Sequence, residues 1–107
     1  MFEKRQHPRL EVKLPVTLRL GGRLLPATTM NISCGGMCLR VPDATIASSA
    51  PVEVILDLDD KKRDVAVTGK ITRAASSGEN SLMGLQFTNA LSAGRKTIEE
   101  YLGKHLN

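Results

Sequence analysis

A chain of 107 residues with 41% hydrophobic and 24% charged side chains has the substance for one hydrophobic core, not two, and is too apolar to stay disordered. No apolar run approaches the ~18 residues of a membrane span, and the charged start is not a secretory leader. A single cytoplasmic domain with reduced cysteines is therefore expected. The net charge of +4 is concentrated near the start, where Lys4, Arg5, Arg9, Lys13, Arg19 and Arg23 outnumber Glu3 and Glu11. The rest of the chain is balanced, which points to an anionic partner met at that end.

Residues 1–9 hold few apolar groups and read as a flexible arm. From Leu10 to Leu20 apolar residues alternate strictly (Leu10, Val12, Leu14, Val16, Leu18, Leu20), the period of a half-buried strand. Gly21 and Gly22 predict a tight hairpin turn and Arg23 to Met30 the returning strand, with Pro26 favouring an edge or a bulge. Asn31 to Gly36 is a break rich in turn formers; Met37 to Val41 predicts a short strand and Pro42 to Ala50 a loop. Val52 to Leu58 and Asp64 to Arg73 read as two strands joined by a polar turn at Asp59–Lys62, with Val65, Val67, Gly69 and Ile71 on one face. Leu82 to Phe87, after the polar stretch Ser76–Asn80, predicts the last strand. Beyond Asn89 the period changes: Ile98, Tyr101, Leu102 and Leu106 fall at helical spacing, and Ser92 is a candidate N-cap. The expected fold is all-β with one C-terminal helix. It is a small six-stranded antiparallel β-barrel over residues 10–88, closed by a helix within 90–107, the whole chain forming a single domain.

Catalytic chemistry finds no footing. His7 and His105 stand at opposite ends, and no serine occupies a Gly-x-Ser-x-Gly elbow. No phosphate-cradling or dinucleotide glycine fingerprint occurs. Asp57, Asp59 and Asp60 run straight into Lys61, Lys62 and Arg63, which reads as a self-neutralised turn rather than a metal cage. On an extended strand, Cys34 and Cys38 would stand ~13 Å apart, beyond the ~7 Å reach of a disulfide. A zinc site would need a second pair of ligands. Two small, part-buried thiols are expected, with no catalytic residue, metal or cofactor.

Two short segments carry the functional signal. Arg5-Gln6-His7-Pro8-Arg9 places two guanidiniums four residues apart on a stretch that Pro8 keeps from becoming helix. Asn31-Ile32-Ser33-Cys34-Gly35-Gly36 is an Asn-x-Ser-x-x-Gly pattern. Either alone is ordinary: solvated charges on a terminus, or a plain hairpin loop. Their occurrence in this order on a small β-rich chain resembles the PilZ family of cyclic di-GMP receptors, whose signature is Arg-x-x-x-Arg followed by (Asp/Asn)-x-Ser-x-x-Gly. The resemblance covers essentially the whole chain and extends to Gly84-Leu85-Gln86-Phe87, similar to the strand that such domains carry before their closing helix. One position departs: Lys4 stands where many members have a further Arg.

The resemblance implies a cyclic di-GMP site on the outside of the barrel, formed by Lys4, Arg5, Arg9, Asn31, Ser33, Gly35 and Gly36. An Arg fork can bond bidentately to guanine O6 and N7 or to phosphate, and can stack on a purine, which Lys cannot. Asn31 and Ser33 would serve a guanine edge or a phosphate, and Gly36 would let the backbone approach the ligand. Lys4 favours a stacked ligand pair through its charge. The implied role is a receptor or adaptor that changes its surface on binding and regulates an effector protein in trans, in motility, biofilm or virulence control. Two alternatives are a ligand-free interaction module of the same family and a barrel that binds nucleic acid through its basic arm. The 3% aromatic content without Trp argues against the latter.

Overall fold

Alternating apolar residues bury one face of a sheet against a second layer or by curling the sheet around them, and here it closes completely. The computed structural model describes residues 8–42, 51–89 and 91–106; Lys4, Arg5, His7 and most of the loop expected at 42–50 lie outside them. The elements are β1 (Pro15–Leu20), β2 (Arg23–Ile32), β3 (Gly36–Val41), β4 (Pro51–Leu56), β5 (Val65–Ser77), β6 (Asn80–Phe87) and α1 (Ala93–His105). Strands neighbour one another in the order β1-β2-β3-β6-β5-β4, and β4 returns to pair with β1. All pairs are antiparallel. Among the described residues, closure gives every strand a partner on each side over part of its length, leaving only local edges.

Every second residue points inward: Val16 and Leu18 from β1, Leu39 and Val41 from β3, Val52 and Val54 from β4, Val65 and Val67 from β5, Met83 and Leu85 from β6. From α1, Ile98, Tyr101 and Leu102 join the same core, so the helix seals the barrel. Ser92 caps it, its Oγ accepting from the Arg95 amide at 3.2 Å. The helix start sits so close to β5 that a side chain on Gly94 would collide with the Ala66 carbonyl. Leu106, expected on the packed face, is instead the C-cap and lies exposed, because the last turn runs past the barrel.

The turn at Gly21 and Gly22 has φ of 57° and 83°, the left-handed pair that a two-residue hairpin demands. Pro26 lies where β2 pairs with β1 (opposite Thr17) but has not yet met β3, whose pairing begins at Thr28; it occupies a local edge. The expected turn after β4 is also present: Asp59 Oδ1 accepts from the amides of Lys61 and Lys62 at 2.8 Å, and Arg63 approaches Asp57 at 3.7 Å. The Lys61 amide chiefly holds the Asp59 carboxyl below its usual range. No helix among the described residues is long and apolar enough to cross a membrane.

The first strand is shorter than the alternation predicts. β1 starts at Pro15, and residues 10–14 follow another course, held by one buried side chain. The Thr29 hydroxyl donates to the Val12 carbonyl and accepts from the Leu14 amide, while the Thr29 amide donates to the Leu14 carbonyl. Leu10 then forms an isolated two-way bridge with Ile32, at 2.8 and 2.9 Å. Leu10, Val12 and Leu14 still pack inward, so the period was right and the ladder was not.

Candidate functional site

A cleft of about 360 Å³ opens on the outer wall of β3, β6 and β5. Its floor follows the strand register: Cys38 lies opposite Gly84, Gly84 opposite Arg73, and Gly36 opposite Gln86. Arg9 and the loop residues Ser33, Gly35 and Gly36 line it together with Thr72, Arg73 and Gln86.

The two sequence motifs meet here. Arg9 Nη1 donates to Asn31 Oδ1 at 2.7 Å, a contact across 22 residues of chain. The antiparallel Leu10–Ile32 bridge brings the two segments side by side; Arg9 and Asn31 flank it on opposite sides, and the long Arg9 side chain spans the bridge diagonally. Lys4 and Arg5 lie outside the described residues, so four of the seven candidates line the cleft, and Asn31 joins them through Arg9.

Ser33 and Gly36 occupy their places for reasons the sequence alone did not suggest. Ser33 is buried, and its Oγ accepts from the amides of Gly35 (3.3 Å) and Gly36 (3.2 Å) and donates to the Gly36 carbonyl. Its backbone amide donates to the same carbonyl at 2.8 Å. The hydroxyl thus braces the loop from within. A Cβ on Gly36 would run into the Leu85 carbonyl, so glycine here first permits β3 and β6 to approach one another. Gly35 passes its carbonyl to the Phe87 amide at 2.9 Å, pinning the loop to β6.

The cysteines are both free and partly buried. Burial, with a contribution from Glu99, pushes the Cys34 thiol up against the opposing charge of Arg95, so it remains protonated at neutral pH. Cys38 lines the cleft. Among the described residues no cluster of His, Cys, Asp or Glu is arranged to hold a metal ion.

The motifs did not reveal Thr72 and Arg73. Strict alternation from Val65 through Ile71 would send Arg73 into the barrel. A register shift between Ile71 and Arg73 turns it outward instead, into the cleft, where it has no hydrogen-bond or ion-pair partner among the described residues. A charge falling on an inward beat was the available signal.

The PilZ domain family model matches residues 3–104. No curated protein matches the chain by sequence. Among solved structures, the Bacillus subtilis inhibitor of motility MotI/DgrA superposes with a TM-score of 0.77 at 19% identity, over 99% of this chain and 53% of that one. The PilZ domain of Escherichia coli YcgR with c-di-GMP gives 0.71 at 13% identity, over 97% of this chain and 95% of that one. A longer YcgR chain in complex with c-di-GMP gives 0.72 at 13% identity, over 97% and 46%. The chain therefore spans about half the length of MotI and of the longer YcgR. At these identities the likeness is one of fold.

Proposed function

The chain belongs to the PilZ domain family, and from that premise we propose that it is a cyclic di-GMP receptor whose ligand lies in the cleft on β3, β6 and β5. The observation that carries the reading is the 2.7 Å contact between Arg9 and Asn31, which joins the two motifs beside the cleft. A dinucleotide with two phosphodiesters and two guanines needs guanidinium forks and an amide at one place, and that contact supplies both kinds of group. YcgR, a neighbour in fold, is described in complex with c-di-GMP, which supports the same ligand here.

In this proposal Arg9 exchanges its bond to Asn31 for the ligand, and Lys4 and Arg5 add charge from the preceding arm. Ser33, Gly35 and Gly36 present the loop, with the Ser33 hydroxyl acting through the loop and not on the ligand. Arg73 offers a further cation at the same cleft. Lys4 supports a stacked ligand pair. The output is a changed surface read by an effector protein; MotI, a neighbour named for inhibiting motility, makes motility control the favoured process. The proposed role is binding rather than catalysis, in the cytoplasm, where two free thiols are at home.

Titration calorimetry with cyclic di-GMP tests this. Arg9→Ala should cost ~1–3 kcal/mol of binding, roughly tenfold to more than a hundredfold in affinity. Its melting temperature should stay close to the parent's, because Arg9 is exposed. Arg9→Lys keeps the charge and loses the fork. Absence of binding by the parent would overturn the proposal, and parent-like affinity in Arg9→Lys would reduce Arg9 to a point charge.

A further inference from the structure

Arg95 is the third residue of α1, where the helix dipole and capping chemistry favour an acidic side chain. The first turn contains no acidic residue. Arg95 also leaves its Nε buried without a hydrogen-bond partner, an unfavourable arrangement for a donor. Its guanidinium lies 5.8 Å from the Phe87 ring centroid, and Nη2 donates to the Cys34 carbonyl at 2.9 Å, across 61 residues of chain. Helix stability alone does not account for a cation placed there.

The acceptor gives the reason. Cys34 lies inside the Asn-x-Ser-x-x-Gly loop, between the brace Ser33 and the cleft residue Gly35. Ser33 Oγ engages the amides of Gly35 and Gly36, Phe87 engages the Gly35 carbonyl, and Arg95 engages the carbonyl of Cys34. Without Arg95 the peptide between Cys34 and Gly35 loses its hold from the helix side and keeps only the 3.3 Å bond from the Gly35 amide to Ser33 Oγ.

We propose that Arg95 is a positioning residue for the ligand site: by holding the Cys34 carbonyl it keeps the loop in the shape the cleft requires and ties that shape to the first turn of α1. The proposal rests on reading the cleft as the cyclic di-GMP site. Coupling between loop and helix is reciprocal, so a ligand that fixes the loop also steadies the helix start. The cleft thereby acquires a route to a surface that contacts no ligand.

The test uses Arg95→Met and Arg95→Lys, with Lys96→Met, an exposed neighbour on the same turn, as the control for lost charge. Affinity falls in proportion to the fraction of time that the loop is competent to bind. If that fraction drops to one in ten, cyclic di-GMP binds Arg95→Met about tenfold more weakly. Arg95→Lys, whose ammonium can still reach one carbonyl, recovers part of the loss, and Lys96→Met matches the parent. In NMR spectra of the parent, ligand shifts the amides of residues 95–98 along with those of Gly35 and Gly36. In Arg95→Met the loop amides still respond and the helix amides do not. Parent-like affinity in Arg95→Met, a Lys variant no better than Met, or a persistent helix response would each overturn the proposal. Should Arg95→Met fail to fold, the Lys variant and the parent spectra carry the same comparison. Should the parent bind no cyclic di-GMP, the site reading fails by itself. The positions of the Gly35 and Gly36 amides in the free variants would still report whether Arg95 holds the loop: unchanged by Arg95→Met, they refute it.

Discussion

Adding one methyl group at Gly36 tests why the last glycine of the loop motif is there. An ideal Cβ at this position would collide with the Leu85 carbonyl oxygen, and it would also stand 3.2 Å from that carbonyl's carbon and 3.4 Å from the Gln86 Cα. All three are backbone atoms, so no side-chain rotation relieves the contact, and β3 must move away from β6. The ladder at Gly36–Gln86 and the adjoining bond from the Phe87 amide to the Gly35 carbonyl would then stretch. Overpacking of this kind costs ~1–3 kcal/mol. Two weakened hydrogen bonds add ~1–3 kcal/mol. The φ of Gly36 is not positive, so alanine suits the backbone and returns ~0.4–1 kcal/mol through the unfolded chain. The expected net loss is ~1–6 kcal/mol, centred on ~3 kcal/mol, which is roughly 15 °C in melting temperature for a domain of this size. Gly21→Ala is the comparison: its Cβ meets nothing within 4 Å, and its φ of 57° costs ~1–2 kcal/mol. Urea unfolding of both variants without ligand decides the matter. If Gly36→Ala loses no more stability than Gly21→Ala, the strand-contact argument is wrong and the glycine serves the ligand alone. Leu85→Ala in the Gly36→Ala background should give no rescue, because the clash is with main chain.

Thr29→Val removes the hydroxyl that serves Val12 and Leu14 and leaves their backbone groups unpaired, so stability should fall by ~1–3 kcal/mol in urea. Because Arg9 follows from the same clasp, cyclic di-GMP affinity should fall too. Leu18→Ala, fully buried in the barrel, should cost ~2–5 kcal/mol, whereas Leu14→Ala, only half-buried, should cost distinctly less; equal losses by denaturation would contradict the burial assigned here. Burial raises both the Cys34 thiol from 9.0 and the Tyr101 hydroxyl from 10.0. Their protonated forms belong to the folded state, so the stability they contribute is complete below the ordinary values and is lost as pH rises through the raised ones. Melting temperature should drop from about pH 9 upward, and Cys34→Ala should blunt the first part of that drop. At pH 8 the thiolate-dependent alkylation of Cys34 should be slower in the folded protein than in the urea-unfolded chain, as peptide mass mapping would show.

How far the sequence foretold this depends on which forces were local. Period-two alternation, short apolar runs and the polar turns between them located all six strands, and the period change after Asn89 located the helix, because burial and turn chemistry are written residue by residue. The start of β1 was misplaced because the clasp at Thr29 couples residues 15 and 17 positions apart, which no local pattern records. The pairing of Arg9 with Asn31 was legible as a motif but not as a contact. Ser33 and Gly36 were picked for ligand chemistry, while their immediate partners are the loop's own amides and a neighbouring strand. Arg73 was hidden by a bulge, and Arg95 by an acceptor 61 residues away.

The Leu10–Ile32 bridge also decides where this chain tolerates a change in length. Both halves of the site are counted from that one fixed point: Arg9 lies one step before Leu10, Asn31 one step before Ile32 and Ser33 one step after it. The chain between them runs out along β1, around Gly21 and Gly22, and back along β2. Lengthening that excursion by equal numbers of residues on the two strands leaves both counts intact, as letting out rope on both sides of a cleat does not move the cleat. Inserting a single residue between Arg9 and Leu10, or between Asn31 and Ile32, shifts one count against the other and separates the pair. Distance along the sequence between the two motifs is thus free to drift, whereas their distance from the bridge is not.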